Sequence, residues 1–369
     1  MKIYCDNAAM QPLHPEVKRV IRDFLDADIR NPSAIYSDGR KTRTLLEAAR
    51  ARVAKAIGAD PDEIYFTSGS TEALNWYLHE DDVHTCCLAI DHKAAIRNAH
   101  DYLPVDSEGL LIQSALPHDS KVIVGWVNNE IGTIQPVKEI VEACHKRRDS
   151  ILLDATQAIG HVPINVHAIG CDYLCGSFGK LGGLTGSGFL YAKKSAPLSP
   201  MLRGGGQERG LRAGTENLIG IVAGAKAIEL ATQDLDIKMS HMTMIRDNII
   251  SGLLQIPKSH LNGSLGNRVC NNVNISFEGI EGESLVLNLD LHGIQASSGS
   301  ACNSADIQPS HVLKAIGLND DLARGALRLT ISEGMSYEEV EYVVKTVTDC
   351  VARLRELSPK WKEINENNE

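Results

Sequence analysis

The feature that most constrains this chain is a series of apolar runs, each too short for a helix and bounded by polar or small residues. EIYFTSG (63–69), HTCCLAI (84–90), KVIVGWV (121–127), SILLD (150–154), DYLCGS (172–177) and GFLYA (188–192) follow one another in this way. Apolar residues run on in them instead of alternating with polar ones, the pattern of strands buried on both faces. Helical segments lie before and between them. HPEVKRVIRDFL (14–25) repeats apolar residues at helical spacing with Pro15 suited to a first turn, and LLEAARARVAKAIG (45–58) closes on Gly58. PVKEIVEACHK (136–146) separates two of the apolar runs. Short buried strands alternating with helices predict an α/β fold with a mostly parallel sheet covered on both sides.

Two long helices are expected next, over 216–231 and roughly 237–254, and the pattern then changes. Pro, Gly, Asn and Ser accumulate over 255–270, which marks a boundary. Strands are predicted at NNVNISF (271–277) and ALRLTIS (326–332), with helices at 282–291 and 336–356, the last opened by a capping box of Ser336 and Glu339. This predicts three parts: an N-terminal segment, 1–15, packing on the smaller unit; a large domain, 16–258; and a small α+β C-terminal domain, 259–369. The polar tail SPKWKEINENNE is expected to fray.

Charge and cysteine usage narrow the class of function. The 369 residues carry a net charge of −10, which argues against direct binding to nucleic acid. The start, MKIYCDNAAM, lacks the basic and apolar regions of a secretory leader, and no apolar run is long enough to span a membrane. Nine scattered cysteines fit a reducing cytoplasm better than a disulfide framework. Cys171 and Cys175 lack a second Cys/His pair at zinc-like spacing, so no metal is expected there.

In open parallel sheets, ligands bind at the carboxyl ends of strands. FTSGSTEALN (66–75) places Ser70 and Thr71 at such an end, where they are either an ordinary helix cap or a phosphate cradle on the helix dipole. No P-loop or dinucleotide fingerprint is present. Asp154 ends an apolar run, where a carboxylate needs a partner, and Lys180 follows in the glycine-rich GSFGKLGGLTGSG. A phosphate cradle, a strand-end Asp and a loop Lys together suggest pyridoxal phosphate: the Lys for its aldehyde, the Asp for its ring nitrogen, the hydroxyls for its phosphate.

DNAA (6–9), NPS (31–33), FTSGSTEALN, DHKA (91–94), NNEIGTIQP (128–136), DATQAIG (154–160), GGGQERGLRAGT (204–215), GSACNSADIQPSHVL (299–313) and ALRL (326–329) extend the pattern along the chain. In this order they resemble the cysteine desulfurases of the class V aminotransferase superfamily, in the nitrogen-fixation and iron–sulfur-cluster type with the longer cysteine loop. The resemblance implies a fold-type I pyridoxal-phosphate enzyme with a mostly parallel seven-stranded sheet in the large domain. It implies a homodimer that converts L-cysteine to L-alanine and holds the sulfur as a persulfide on Cys302 for an acceptor protein. Lys180 resembles the Schiff-base lysine, Asp154 the partner of the pyridine nitrogen, and His92 the ring-stacking residue that also moves protons. Gln157 and Asn129 match residues on the phenolic-oxygen side, and Ser70, Thr71 and Ser177 match the phosphate ligands. Thr215 corresponds to a residue that reaches the neighbouring subunit's phosphate. Arg328 matches the group that binds the substrate carboxylate, with Asn129 and Asn31 assisting.

Two positions depart from the family pattern. Gly179 stands where the family usually has a His before the lysine, which implies weaker cofactor retention, and Met10-Gln11 replaces the usual Thr-Thr after DNAA. The rival readings are a selenocysteine lyase, a class V aminotransferase without use for Cys302, and a non-catalytic scaffold of a sulfur pathway. Iron–sulfur assembly, tRNA thiolation, cofactor synthesis and DNA phosphorothioation all draw on such sulfur donors.

Overall fold

A computed structural model describes residues 2–79, 83–298 and 309–366. The strands, in chain order, are β1 (Ile3–Tyr4), β2 (Ile64–Thr67), β3 (Thr85–Leu88), β4 (Asp101–Leu103), β5 (Lys121–Gly125), β6 (Ser150–Asp154), β7 (Tyr173–Ser177) and β8 (Gly188–Ala192), followed by β9 (Ser259–Leu261), β10 (Asn272–Phe277), β11 (Ile294–Gln295), β12 (Ser297–Ser298) and β13 (Ala326–Thr330). A seven-stranded sheet runs in the order β2-β8-β7-β6-β5-β3-β4. Only β8 is antiparallel to its neighbours; β4, β3, β5, β6 and β7 are mutually parallel. The mostly parallel sheet read from the sequence is therefore present. Its edge strand β4 was not anticipated, because Asp101 and Tyr102 are polar and exposed, as edge positions allow.

The apolar runs are continuous because both sheet faces are covered. Cys87, Ile123, Leu152, Cys175 and Leu190 pack on one side against Ala73, Leu74, Trp76 and Tyr77 of the helix Ser70–Leu78. Val122, Val124, Ile151, Leu153 and Leu174 face the opposite way into the larger core. Each such side chain contributes on the order of 1.5–3 kcal/mol by leaving water. On that side the helix Ser37–Ile57 packs against Leu218–Thr232. The first of these begins two turns before the apolar repeat at Leu45, because Ser37–Thr44 carries a polar face.

β12, β13, β10 and β9 form a separate antiparallel sheet, and β1 pairs in parallel with β11 beside it. The chain start is thus tied to residues nearly three hundred positions later. Asn7 donates to the Thr330 carbonyl at 2.7 Å, and the Ala8 N–H donates to the Thr330 hydroxyl at 2.9 Å. The tail corrects the expectation of fraying: Pro359–Glu366 is helical, and Trp361 lies 3.9 Å beneath the Arg355 guanidinium.

One buried ion pair pins the long loop 204–215. Glu208 accepts from both Arg50 Nη1 and Nη2 at 2.8 Å and from the Phe66 N–H at 2.9 Å. Glu208 and Arg209 both hold positive φ, 44° and 59°, a strained backbone that the buried pair stabilises. Glu208→Ala strands the Arg50 charge and the Phe66 amide, and is expected to cost about 3–5 kcal/mol in urea unfolding.

Candidate active site

The parallel strands send their loops out at one edge, and the sequence-predicted residues meet there. β2 leads into Ser70 and Thr71, β3 into Asp91 and His92, β5 into Asn128 and Asn129, β6 ends on Asp154, and β7 on Ser177 with Lys180 one turn beyond. All of them line one cavity of about 390 Å³ together with Asp6, Ala8, Ala9, Thr156, Gln157 and Arg328.

The cradle end is built by glycine. Gly69 precedes the helix Ser70–Leu78 at φ 150°, a conformation that L side chains rarely adopt. Among the described residues no side chain caps this helix N-terminus, so its first N–H groups and positive dipole end remain available to an anion. A Cβ on Gly188 would fall 2.7 Å from Gly69 Cα, so the antiparallel strand can approach only as glycine. Ser70 shares a 2.5 Å hydrogen bond with Thr156, whose N–H donates to Asp154 at 3.0 Å. Hydroxyls, uncapped amides, a carboxylate and a lysine in this order fit the phosphate, ring nitrogen and aldehyde of pyridoxal phosphate.

Lys180 Nζ donates to the Ala8 carbonyl at 3.0 Å and to the Ala9 carbonyl, while Gln157 Nε2 donates to Ala8 O at 3.0 Å. Arg328 donates to Asp6 at 2.8 Å and to the Asn129 carbonyl at 3.1 Å. Its Nε is buried and has no partner among the described residues, so one donor of the fork is left for a ligand. DNAA thereby supplies groups whose roles the sequence did not reveal: Asp6 orients Arg328, and two backbone carbonyls hold Lys180. Thr156 and Asp91 were likewise missed, although both sit within quoted motifs.

His92 accepts from the Ala94 N–H through Nδ1 at 3.1 Å, which favours the neutral imidazole. Although its ring is exposed, desolvation by the cavity wall holds its pKa below the usual range, with Asp154 opposing and Lys180 acting the same way. Asp91 accepts from Leu88 N at 2.9 Å and Gly125 N at 2.8 Å, and burial pushes its carboxyl up to about 8.

Cys302 falls within 299–308, outside the described residues, but both flanks of that segment are fixed at the cavity. Before it, Ser297 pairs in register with Arg328. After it, Ser310 donates to Glu130 at 2.5 Å, and His311 Nε2 lies 3.0 Å from the Asp91 carbonyl. The eight described cysteines are all free and buried. Burial raises each of their thiol pKa values, Cys5, Cys144, Cys171 and Cys270 to about 12.

Two sequence candidates are not brought to the cavity. Asn31 is exposed and turns its side chain back to the Ser33 N–H at 2.8 Å. Thr215 is exposed in the loop pinned by Glu208, beside a smaller hollow lined by Ser68 and Arg212.

Comparison with known proteins agrees with this geometry. The model of the aminotransferase class-V family matches residues 3–343. A protein of Methanosarcina thermophila named cysteine desulfurase IscS is 41% identical over 378 residues, 97% of this chain and 94% of that protein. The mitochondrial cysteine desulfurase of Saccharomyces cerevisiae is 39% identical, over 99% of this chain and 78% of its own. A solved NifS-like protein superposes with a TM-score of 0.89 at 32% identity, covering 96% of this chain and all of that one. A structure described as SspA in complex with cysteine gives 0.77 at 27% identity, over 90% of this chain and 99% of that one. With the family model spanning nearly its whole length, this chain belongs to the class-V aminotransferase family.

Proposed function

We propose that this chain is a pyridoxal-phosphate-dependent cysteine desulfurase, which converts L-cysteine to L-alanine and holds the sulfur on Cys302 for an acceptor protein. The observation that carries this reading is the convergence, in one cavity, of Lys180, Asp154, His92 and Arg328, with the flanks of the Cys302 segment anchored on Arg328 and Asp91 of its lining. A homodimer is part of the proposal. Its support is the resemblance of Thr215 to a residue that reaches a neighbouring subunit, together with its exposure outside the chain's own cavity. The division at residues 15 and 258 and a cytoplasmic setting belong to the same reading, the latter supported by eight free thiols. Among the described residues no helix is long and apolar enough to cross a membrane.

Ser70, Thr71 and Ser177 would hold the cofactor phosphate, Asp154 the ring nitrogen, Gln157 and Asn129 the phenolic oxygen, with His92 against the ring. When bound, the cofactor supplies an electron sink for the substrate's Cα–H and Cβ–S bonds. The residues of the chain do the rest. Arg328, already oriented by Asp6, binds the substrate carboxylate, for which its buried Nε–H supplies a further donor. Lys180 Nζ, exchanging its contacts to Ala8 and Ala9 for the substrate, accepts the Cα proton as general base. The Cys302 thiolate attacks the substrate sulfur. The S–S bond forms as the Cβ–S bond breaks, and the electron pair of that bond stays with the carbon skeleton, which takes up one proton at Cβ, regains the one held by Lys180 at Cα, and leaves as alanine. The eight buried thiols are too weakly acidic for this role at neutral pH.

Cys302→Ala is expected to bind pyridoxal phosphate normally yet yield no alanine from cysteine; normal turnover would refute the assignment. Arg328→Ala should raise KM for L-cysteine about tenfold to a hundredfold, the equivalent of a charge-assisted hydrogen bond of about 1.5–3 kcal/mol, with partial rescue by Arg328→Lys. The His92 ring should titrate below the usual imidazole range in NMR, and Asp154→Asn should lower its midpoint further, because the Asp154 charge is what holds it up. Gly179→His should tighten pyridoxal-phosphate binding, read by equilibrium dialysis. A Cβ there would lie 3.1 Å from the Thr185 methyl, and Thr185 is exposed and able to rotate away.

A further inference from the structure

At the amino ends of the same strands, on the edge opposite the cavity, a second set of chemically distinct side chains converges. His84 and Cys86 are two residues apart on β3 and its lead-in, so strand periodicity puts them on one face. Cys86 is the register partner of Asp101 on the parallel edge strand β4, which brings that carboxylate onto the same face. One imidazole nitrogen, one sulfur and one carboxylate oxygen lie within 4.8 Å of one another, and His84 Nε2 is 3.0 Å from Asp101 Oδ2. We propose that His84, Cys86 and Asp101 form a binding site for a divalent transition metal of the zinc type, with water completing a tetrahedral shell.

The donors suit that ion. Nitrogen, sulfur and oxygen ligands at about 2.0–2.3 Å from zinc stand about 3.5 Å apart in a tetrahedron, so closure needs a shift of about an ångström. The two exposed ligands, His84 and Asp101, have the freedom to make it, while Cys86 is fixed in the sheet at 2% exposure. The backbone is held in place: Lys121 N–H donates to the His84 carbonyl at 2.8 Å, and His100 N–H to the Thr85 carbonyl at 2.8 Å. His100 stacks on His84 with ring centroids 5.3 Å apart and is itself fixed by Thr85 Oγ1 at 2.7 Å, so the ligand ring has a positioned neighbour.

The local field also favours a cation. The two charges acting on the Cys86 sulfur, Asp101 and Asp149, are both negative. Asp149 is 3% exposed, and its Oδ2 has no hydrogen-bond partner among the described residues. His118 and Arg147 act on Asp149 in the opposite sense, so a bound dication offsets chiefly the Asp101 charge and binds the sulfur as thiolate, releasing a proton. The cluster Asp60, Glu63 and His167 lacks this character, because Lys194 already neutralises Asp60 at 2.7 Å. The metal would tie the exposed edge strand β4 to β3, and it lies at the opposite strand ends from the residues of the proposed reaction.

The test is titration of the chelator-treated full-length protein with Zn²⁺, and with Co²⁺ as a spectroscopic substitute. One ion per chain is expected, with a thiolate-to-cobalt band in the near ultraviolet and a raised Tm. His84→Ala and Asp101→Asn, both at exposed positions, should each weaken Zn²⁺ binding at least about tenfold, and Cys86→Ser should abolish the cobalt band. Cys302→Ala should leave all of this unchanged, which separates the site from any metal held by the reactive cysteine. Binding unaltered by His84→Ala and Cys86→Ser, or no one-to-one binding at all, would overturn the proposal.

Discussion

The structure depends on a sheet whose central strands are parallel and buried on both faces. A parallel strand cannot turn straight back, so its chain must leave at the carboxyl end, cross a face as a helix and re-enter at the amino end. Strands β2, β3, β5 and β6 obey this rule, and with β7, which turns back into the antiparallel β8, they deliver five polar turns to one edge. Polar groups have little place elsewhere, because the strand interiors are close-packed hydrocarbon. The cavity is therefore a consequence of topology before it is a feature of any single residue.

The N-terminal segment closes what the sheet leaves open. Asp6, Asn7, Ala8 and Ala9 are fixed by Thr330 and, through Asp6, by Arg328, both on β13, and in turn they hold Lys180 from across the cavity. Asp6 to Ala9 thus join the antiparallel unit to the large sheet through contacts made at Arg328 and Lys180 themselves. This linkage makes the position of Arg328 relative to Lys180 a property of the backbone carbonyls of DNAA as much as of either side chain. The Met10-Gln11 departure lies just outside these contacts. The Gln11 N–H donates to the Gly179 carbonyl at 3.3 Å, a backbone bond indifferent to side-chain identity.

Much of this was legible in the sequence because it rests on periodicity and on motif residues. SILLD and GFLYA match β6 and β8 residue for residue, and Asp154 was recognisable as a strand-end carboxylate needing a partner. Other parts were hidden for physical reasons. β4 carries polar residues because it is an edge, and the start of the helix at Ser37 has no apolar repeat to announce it. The role of DNAA rests on carbonyls, which every sequence offers, and on a pairing across more than three hundred residues. Asn31 and Thr215 were read from the family pattern, and a single chain does not carry them to the cavity.

The cysteines show how burial, not abundance, sorts chemistry. Eight thiols lie within the packed interior, where desolvation disfavours the thiolate and keeps the sulfur a small apolar filler. Cys86 and Cys87 are adjacent, yet strand alternation places one in each of the two cores. Cys87 faces the helix side and is inert by its surroundings, whereas Cys86 comes up beneath His84 and Asp101 at the sheet's edge. The same raised pKa that silences a buried thiol as a nucleophile leaves it a potential metal ligand, because a dication supplies the charge that the protein withholds. Sulfur chemistry in this chain is thus divided by position. Burial keeps the eight described thiols quiet, and the proposed reaction leaves the reactive role to Cys302, in a segment whose flanks are anchored at the opposite end of the sheet.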